Sequence, residues 1–256
     1  MKTKEEIVEN WLPRYTGMKL EEFGSHIVLT NFGYYLHLFC EWNNVEVADP
    51  TANMPAVTAG NITMINFGMG SPNAATIMDL LFAVHPKAVL FLGKCGGLKK
   101  KNSLGDLILP IAAIRSDGTS NDYLPPEIPA LPAFNMQRAL SSAIRNNGRD
   151  YWTGTVYTTN RRVWEFDERF KNYLTKTRAM AIDMETATIF VVGFANEIPC
   201  GALLLVSDQP MISDGVKTSA SDKRVSDSFV EDHLRIGLEA MHEIINNGES
   251  VKHLRF

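Results

Sequence analysis

The sequence predicts an α/β protein in which one central, mixed but mostly parallel β-sheet is flanked by helices. Apolar segments of strand length alternate along the chain with segments whose bulky residues have helical spacing. Several strands are apolar throughout, which is typical of strands buried on both faces of a sheet. There is no internal repeat or long linker, so we expect residues 1–256 to form one domain with residues 1–25 as a helical extension.

Local patterns place the individual elements. Apolar runs that end in glycine or polar residues predict strands at 26–31, 61–70, 87–97, 105–118, 151–160, the beginning of 181–197, and 200–208. Helical spacing predicts helices at 4–12, 33–42, 71–85, 137–147, 163–175, the remainder of 181–197, and 226–247. Ser71 fits the N-cap and Pro72 the first position of the third helix, and the proline-rich residues 123–134 predict an extended loop.

Polar and glycine-rich residues follow several of the predicted strands. Parallel sheets bind ligands beyond the carboxyl ends of their strands, so we expect these residues to line one shared pocket. They are Asn31, Gly68–Gly70, Gly93–Gly97, Tyr157–Asn160, Met184–Glu185 and Ser207–Asp208.

Composition excludes several classes of function. A net charge of −4 gives no basic surface for nucleic acid or an anionic membrane. No apolar run is long enough to span a bilayer, and the charged N-terminus has no apolar core of a secretion signal. Three scattered cysteines favour a reducing compartment, so we expect a cytoplasmic protein. The histidines and cysteines lack metal-ligand spacing, and we expect neither a metal nor an organic cofactor.

Two carboxylates stand at the ends of apolar segments, Glu185 in AIDMETATIF and Asp208 in LLLVSDQP. Carboxylates in a dry pocket stabilise positive charge on carbon and, when protonated, donate a proton. Both segments also have a structural interpretation. One acid of the pair Asp183 and Glu185 caps the following helix, a role we assign to Asp183, and Asp208 forms an Asx turn before Pro210.

Glycine-rich turns and cations follow other strands. In GMGSP, Gly68–Pro72, backbone N–H groups either meet an anion at the start of a helix or form a tight turn. Lys94 ends a buried strand, where an ammonium group is costly unless it meets an anion. Of the two arginines in TTNRR, residues 158–162, we expect one at the surface and one paired with an acid such as Glu165, although arginine also suits a phosphate. Cys95 is expected in the core because no base accompanies it.

The motifs GMGSP, LGKCGGL, GDLILP, DMETATIF and VSDQP, in this order, resemble the purine nucleoside phosphorylase and nucleosidase superfamily, with the nucleoside phosphorylase-I fold. AAIRSDGTSNDYLPPEIPALPAF and TGTVYTTNRRVWE resemble the catalytic domain of its AMP nucleosidase branch. The resemblance runs from about Val28 to Gly237. It implies a catalytic domain that hydrolyses AMP to adenine and ribose 5-phosphate, and a homo-hexamer built as a trimer of dimers. Longer bacterial members carry an N-terminal regulatory domain, for which we expect no counterpart here.

The resemblance also implies roles for individual residues. Met184 and Glu185 fall where the ribose is held, Asp208 falls where purine N7 is met, and Val156 and Tyr157 fall where the base is packed. The catalytic residues are then Asp208 as general acid and Glu185 as the anion beside the sugar. The expected substrate-binding residues are Gly70, Lys94, Val156, Tyr157, Thr159, Asn160, Arg161, Arg162, Met184 and Ser207.

The sequence departs from the phosphorylases where their phosphate-binding arginines stand, because Tyr35 and Phe91 occupy those stretches. This departure favours water as the acceptor. The first loop, TNFGYYL, has no acid that could activate the water, so the base is unassigned. Two alternatives stay open: a purine nucleoside phosphorylase or other purine nucleosidase, and a non-catalytic nucleotide-binding protein. The preference among AMP, dAMP, IMP and GMP is also open.

Overall fold

The computed structural model describes residues 2–247, and Met1 and residues 248–256 of the predicted domain lie outside the described residues. The strands are β1 (His26–Thr30), β2 (Ala56–Ala59), β3 (Ile62–Asn66), β4 (Ala88–Gly97), β5 (Leu107–Ser116), β6 (Tyr151–Thr159), β7 (Ala181–Asp183) and β8 (Cys200–Asp208). The helices are α1 (Lys4–Thr16), α2 (Gly33–Asn43), α3 (Ser71–Leu80), α4 (Phe134–Asn146), α5 (Glu168–Thr177), α6 (Thr186–Ala195) and α7 (Ser219–Asn247). Short 3-10 helices cover Leu20–Glu22, Leu81–Val84 and Thr119–Asp122.

Within residues 2–247 the eight strands form one sheet in the order β2-β3-β1-β4-β7-β6-β5-β8. Strand β8 also pairs with β4, so β4, β7, β6, β5 and β8 close into a small barrel. Five of the described pairings are parallel and three are antiparallel, which confirms the predicted mixed, mostly parallel sheet. Closure brings the carboxyl ends of strands that are distant in sequence to one side of the molecule.

Helices cover both faces of the sheet, and the central strand shows why. Along β4, Val89 and Phe91 belong to a core with helices α1, α3 and α6, whereas Leu90 and Leu92 belong to a second core with α2, α4 and α7. Side chains of a strand point alternately to opposite faces, so a strand buried on both faces needs apolar residues at every position. All ten residues of β4 are buried.

Several element boundaries differ from the prediction. Helix α5 begins at Glu168 and not at Val163, because Asp167 caps it by accepting a hydrogen bond from the Phe170 N–H at 3.0 Å. Helix α7 begins at Ser219 and not at Ser226, with the hydroxyl of Thr218 accepting from the Ser221 N–H. Both helix starts are therefore fixed by capping side chains and not by the apolar stripe.

Two further corrections concern the region before α3. The N-cap of α3 is Gly70, so Ser71 is already inside the helix and its hydroxyl is free to donate to the carbonyl of Met184 at 2.7 Å. Strand β2 was not predicted, because it is only four residues long and pairs with β3 alone at the edge of the sheet. Over residues 2–247, no helix combines the length and apolar character needed to cross a bilayer.

Candidate active site

A cavity of about 290 Å³ opens at the carboxyl ends of β1, β4, β6, β7 and β8. Its volume is near the lower end of the usual range for small-molecule pockets, about 300 Å³. The predicted site residues that line it are Lys94, Thr159, Arg161, Arg162, Met184, Glu185, Ser207 and Asp208. The expectation that separate strand ends share one pocket is thus met for most of the predicted residues.

Glu185 lies at the start of α6 with its side chain almost fully buried at the cavity wall. Its carboxylate accepts hydrogen bonds from the backbone N–H of Gly70 at 2.7 Å and of Met184 at 3.2 Å, and the side chain of Asn31 donates a further bond. Burial and the neighbouring Asp183 raise the pKa of Glu185 to about 8. Three donors therefore fix the orientation of this acid before any ligand is present.

The donor at Gly70 depends on its backbone conformation. Gly70 has φ +94°, which favours glycine because it lacks a Cβ. This conformation turns the N–H of the β3–α3 junction toward the β7–α6 junction. The Ser71 hydroxyl contacts the same junction through the Met184 carbonyl, so both turns are joined on either side of Glu185.

Asp183 has the helix-capping role that was predicted for it. Its carboxylate accepts hydrogen bonds from the N–H of Thr186 at 2.8 Å and from the Thr158 hydroxyl at 2.7 Å, and the Thr186 hydroxyl donates as well. Burial raises the pKa of Asp183 above its ordinary range. The negative charge of the Asp183 carboxylate lies close to Glu185 and adds to the cost of ionising Glu185.

Asp208 is the last residue of β8 and also lines the cavity. Its carboxylate accepts a hydrogen bond from the Ser207 hydroxyl at 2.8 Å and lies 3.9 Å from the ammonium nitrogen of Lys217. Burial against the apolar strand raises the pKa of Asp208, while Lys217 and the Ser207 hydroxyl act in the opposite direction. A carboxyl group in this environment holds a proton at a higher pH than an exposed aspartic acid does.

Two lysines and an acid form a charged cluster beside Asp208. The Lys94 ammonium donates to Asp222 at 3.0 Å and to the Ser226 hydroxyl at 2.8 Å, and it lies 4.6 Å from the centre of the Phe32 ring. Lys217 lies 3.5 Å from the same carboxylate. Burial lowers the pKa of Lys94. The anion that this buried lysine was expected to meet is thus the Asp222 carboxylate.

The adjacent arginines are both partly exposed at the cavity edge and both paired. Arg162 lies 3.6 Å from Glu165, as predicted, and Arg161 donates to Asp167 at 3.0 Å. Cys95 also lines the cavity, but its thiol is fully buried and burial raises its pKa, in agreement with a core residue. A buried thiol with a raised pKa is a poor nucleophile.

Four predicted substrate-binding residues are not on the cavity wall. Asn160 is exposed, and Gly70 contributes its N–H to Glu185 from behind the wall. Val156 points from β6 into the core below α6, because side chains alternate along the strand. Tyr157 shares a face with Thr159, but its ring packs against Phe170 and its hydroxyl donates to Ser116 at 2.6 Å. The side chains of β6 that were predicted to pack the base therefore pack the protein.

Sequence reasoning missed part of the cavity wall. The residues not predicted as site residues are Phe32, Trp164, Glu165, Ile182, Asp183, Lys217 and Asp222, together with Asn31, Met69, Cys95 and Gly96, which had been named only within strand ends. For Asp222 a signal existed, because Thr-Ser-Ala-Ser-Asp at 218–222 carries the polar residues of a helix start. Lys217 precedes that start, and only the folded chain shows that it returns to β8.

The fold and the cavity define an α/β protein with a pocket of small-molecule size at the carboxyl ends of strands in a partly closed sheet. The family model of the phosphorylase superfamily matches residues 25–246. The chain therefore belongs to this superfamily. The family that the motifs predicted is thereby confirmed.

Individual relatives refine this assignment. The chain is 32% identical to the AMP nucleosidase of Escherichia coli K12 over 93% of its own length, and it spans only 58% of that relative. The crystal structure of AMP nucleosidase from Bacteroides thetaiotaomicron VPI-5482 is 58% identical and superposes with a TM-score of 0.87, covering 97% of this chain and 100% of the other. Purine nucleoside phosphorylase from Toxoplasma gondii shares the fold at 19% identity, with a TM-score of 0.79 over 90% of this chain and 95% of the other.

Proposed function

We propose that this protein hydrolyses the N-glycosidic bond of AMP to give adenine and ribose 5-phosphate. The observation that carries the proposal is the pair of carboxylates that line one cavity, the buried Glu185 and the largely buried Asp208. The similarity to AMP nucleosidases over nearly the whole chain supports AMP as the substrate. Because the chain spans little more than half of the Escherichia coli relative, the activity is proposed for this domain alone.

Asp208 acts in the proposed mechanism as the general acid. When the bond between C1′ and N9 breaks, its electron pair moves to the purine, and a proton from Asp208 neutralises the base at N7. The raised pKa of Asp208 supports this role because an ordinary aspartic acid, with a pKa of about 3.9, is ionised at neutral pH. Water adds its oxygen to C1′ and releases a proton, which balances the one given to adenine.

Glu185 acts as the anion that holds and stabilises the ribose. Cleavage leaves positive charge on the sugar, and a carboxylate fixed by Gly70, Met184 and Asn31 can face that charge without reorganising. A carboxylate has room for about four acceptor contacts, so Glu185 keeps one for a ribose hydroxyl. Ionisation of Glu185 is costly in the buried site, and the developing positive charge offsets that cost.

The 5′-phosphate requires cations on the same wall. The cavity-lining candidates are Lys94, Arg161 and Arg162, with Thr159 as a neutral donor. Lys217 is a further candidate because it also lines the cavity. Asn160 is a weaker candidate since its side chain is exposed. Each of the four cations already contacts a carboxylate, so the phosphate must exchange with an internal ion pair.

Water is the proposed acceptor rather than inorganic phosphate. Tyr35 and Phe91, the residues found where phosphorylases carry arginines, are fully buried in the core, and the Tyr35 hydroxyl is paired with His233 at 2.8 Å. Neither side chain is on the cavity wall. A second anion at C1′ would therefore have to use the same cations as the 5′-phosphate.

The experiment is a product assay with AMP, adenosine and IMP, each with and without inorganic phosphate. Release of adenine from AMP together with ribose 5-phosphate, at a rate independent of phosphate, is the expected result. Release that requires inorganic phosphate would assign the protein to the phosphorylases instead. Tight AMP binding without any free base would identify a nucleotide-binding protein.

We also propose that the enzyme is a cytoplasmic homo-hexamer, a trimer of dimers. The superfamily resemblance supports the hexamer, and the exposed apolar side chains of Val163 and Phe166 beside the cavity offer a surface for a neighbouring subunit. Cys40, Cys95 and Cys200 are free thiols, which is usual in a reducing compartment. Light scattering is expected to give six times the chain mass of 28.5 kDa; a monomer would contradict the hexamer.

A further inference from the structure

Lys217 occupies an unusual position between two carboxylates of the cavity wall. Its ammonium nitrogen lies 3.9 Å from Asp208 and 3.5 Å from Asp222, and it belongs to the segment between β8 and α7. Neither separation is that of a short, charge-assisted hydrogen bond, which is about 2.7–2.9 Å. Lys217 is therefore shared between the two acids and tightly held by neither.

The other lysine of the cluster differs in this respect. Lys94 is buried and makes two direct hydrogen bonds, to Asp222 and to Ser226. Asp222 thus has a direct hydrogen-bonded partner in Lys94 in addition to its longer contact with Lys217. An anion that enters the cavity can recruit Lys217 at less cost than it can recruit Lys94.

Asp208 has few other compensating charges. The charged groups that act on it are Lys217 and the more distant Arg162, which favour the carboxylate, and Glu165, which opposes it; the Ser207 hydroxyl also favours the carboxylate. Lys217 has the largest influence among these groups. Burial is the largest influence on Asp208 even with Lys217 in place, and removing the ammonium group leaves burial less opposed, which favours the protonated acid.

We propose that Lys217 couples the general acid to the phosphate of the substrate: the 5′-phosphate draws the ammonium group away from Asp208, and Asp208 then takes up the proton that it donates to N7. The inference rests on the proposed function. A substrate without a phosphate leaves Lys217 beside Asp208, where the ammonium group favours the carboxylate and lowers the fraction of enzyme that carries the proton. Preference for the nucleotide then arises in the chemical step as well as in binding.

The proton balance of the coupling is simple. Solvent supplies one proton to Asp208 as the phosphate pairs with Lys217, and Asp208 passes it to N7 as the glycosidic electron pair moves to the base. Water that attacks C1′ returns one proton to solvent. Lys217 neither gives nor takes a proton in this scheme, so it is a positioning residue and not an acid or base.

The first test compares Lys217→Met with the wild type on AMP and adenosine across pH 5–9. We expect the alkaline limb of the adenosine kcat/KM profile to move to higher pH by about one unit, which corresponds to about tenfold faster adenosine cleavage on that limb. The AMP-over-adenosine ratio of kcat is expected to fall by about tenfold or more. Lys217→Arg keeps the charge and is expected to retain the wild-type profile.

Lys223→Met is the matched control, because Lys223 is exposed on the first turns of α7. It is expected to leave both profiles unchanged. The coupling is refuted if Lys217→Met lowers AMP and adenosine cleavage by the same factor and does not move the adenosine limb. An altered KM for AMP with an unchanged kcat ratio would likewise overturn it, since Lys217 would then contribute to binding alone.

A second measurement does not require turnover. The Asp208 carboxyl is titrated by carbon NMR in labelled protein, alone and with ribose 5-phosphate or ribose. We expect ribose 5-phosphate, but not ribose, to raise its midpoint in the wild type, and Lys217→Met to raise it without any ligand. Equal responses to the two sugars would disprove the coupling. Absence of adenine release by the wild type would refute the proposed function and leave this titration interpretable.

Discussion

Asp208 and Glu185 show how two acids of one cavity acquire different chemistry from their surroundings. Glu185 is fixed by backbone N–H groups, whereas Asp208 has one hydroxyl donor and a loosely held lysine. A fixed carboxylate suits electrostatic stabilisation, and a carboxyl group whose proton can come and go suits acid catalysis. The sequence predicted both acids as site residues because each follows an apolar segment, and both line the cavity.

Asp208→Asn tests the acid role directly. The amide keeps the size of the side chain but cannot donate a proton with the same effect, so we expect kcat for AMP to fall by about 10²–10⁴-fold. Steady-state adenine release measures the change. Asp214→Asn is the matched control, because Asp214 is exposed in the same segment with φ +59°, a conformation that asparagine also adopts. A variant at position 208 with near-normal turnover would exclude the acid role.

The same variant has an expected effect on stability. The folded-state pKa of Asp208 lies above its value in the unfolded chain, so the folded protein binds more protons and loses stability as pH rises past about 4. Asn cannot ionise, and the Tm of Asp208→Asn is expected to exceed that of the wild type by a margin that grows from pH 4 to pH 8. A margin that shrinks over this range would show that Asp208 is stabilised as a carboxylate.

Residues of β6 mark the limit of prediction at this scale. The sequence placed Val156, Tyr157 and Thr159 together at a strand end, but only Thr159 lines the cavity. Alternation assigns Val156 to the other face, and aromatic neighbours from α5 cover Tyr157. The distance of a residue from the strand end decides whether it reaches the cavity, and a single sequence does not locate that end to within a residue.

Among the elements, the loop between β5 and α4 is the one that connects the two junctions of the site. Asp117 accepts a hydrogen bond from Thr188 of α6 at 2.9 Å, and Tyr123 donates to Asp79 of α3 at 2.6 Å. Both helices begin at the cavity, where Gly70 meets Glu185. The loop therefore holds α3 and α6 in a fixed relation, although it was predicted only as an extended, proline-rich segment.

Arg115 organises this loop, because its guanidinium group donates to the carbonyls of Ser120, Leu124, Pro125 and Ile128. Arg115→Met removes all of these bonds, and we expect the free energy of unfolding to fall by at least about 1.5–3 kcal/mol, which is the value of a single hydrogen bond to a charged group. Urea denaturation measures it, and limited proteolysis is expected to cut within residues 117–133.

Arg145→Met is the matched control for Arg115→Met. Arg145 is an exposed arginine whose ion pair with Asp150 spans 3.3 Å between two largely exposed side chains. Such pairs contribute about 0–1 kcal/mol, so we expect a small change and no new cleavage. Equal losses in the two variants would show that the carbonyl contacts of Arg115 do not stabilise the loop.

For the whole molecule, the sheet class was predictable but its closure was not. The alternation of strands and helices indicated a mixed, mostly parallel sheet, and the apolar run of β4 indicated burial on both faces. Pairing of β8 with both β4 and β5 closes the barrel through contacts between distant parts of the chain, which local patterns do not specify. The shared pocket was predicted because the carboxyl ends of parallel strands gather at one edge of a sheet. Local patterns did not indicate that β7, which runs antiparallel to β4, would also reach the pocket.

Buried titratable groups give the whole protein a predicted pH dependence. His233 has its pKa lowered by burial from 6.5 to about 3, so stability is lost as pH falls below about 6.5. Glu185 has its pKa raised from 4.5 to about 8, so stability is lost as pH rises through that interval. The two trends oppose each other between pH 4.5 and 6.5, and we expect the highest Tm there.

Thermal unfolding of the wild type and Glu185→Gln between pH 4 and 8 tests this expectation. The wild-type Tm is expected to decline between pH 6.5 and 8, and the decline is expected to be smaller in the variant because glutamine does not ionise. The comparison uses the slopes, since the variant also alters the contacts with Gly70 and Met184. A wild-type Tm that rises from pH 6.5 to 8 would contradict the raised pKa of Glu185.

The most direct test of the account is turnover of 7-deaza-AMP, in which a C–H group replaces N7. We predict that the wild type binds this analogue with a Kd near that of AMP but cleaves it about 10²–10⁴-fold more slowly. Asp208→Asn is expected to cause no further loss on the analogue, because the proton acceptor and the proton donor act as one unit. Cleavage of 7-deaza-AMP by the wild type at the rate of AMP would contradict proton transfer from Asp208 to N7.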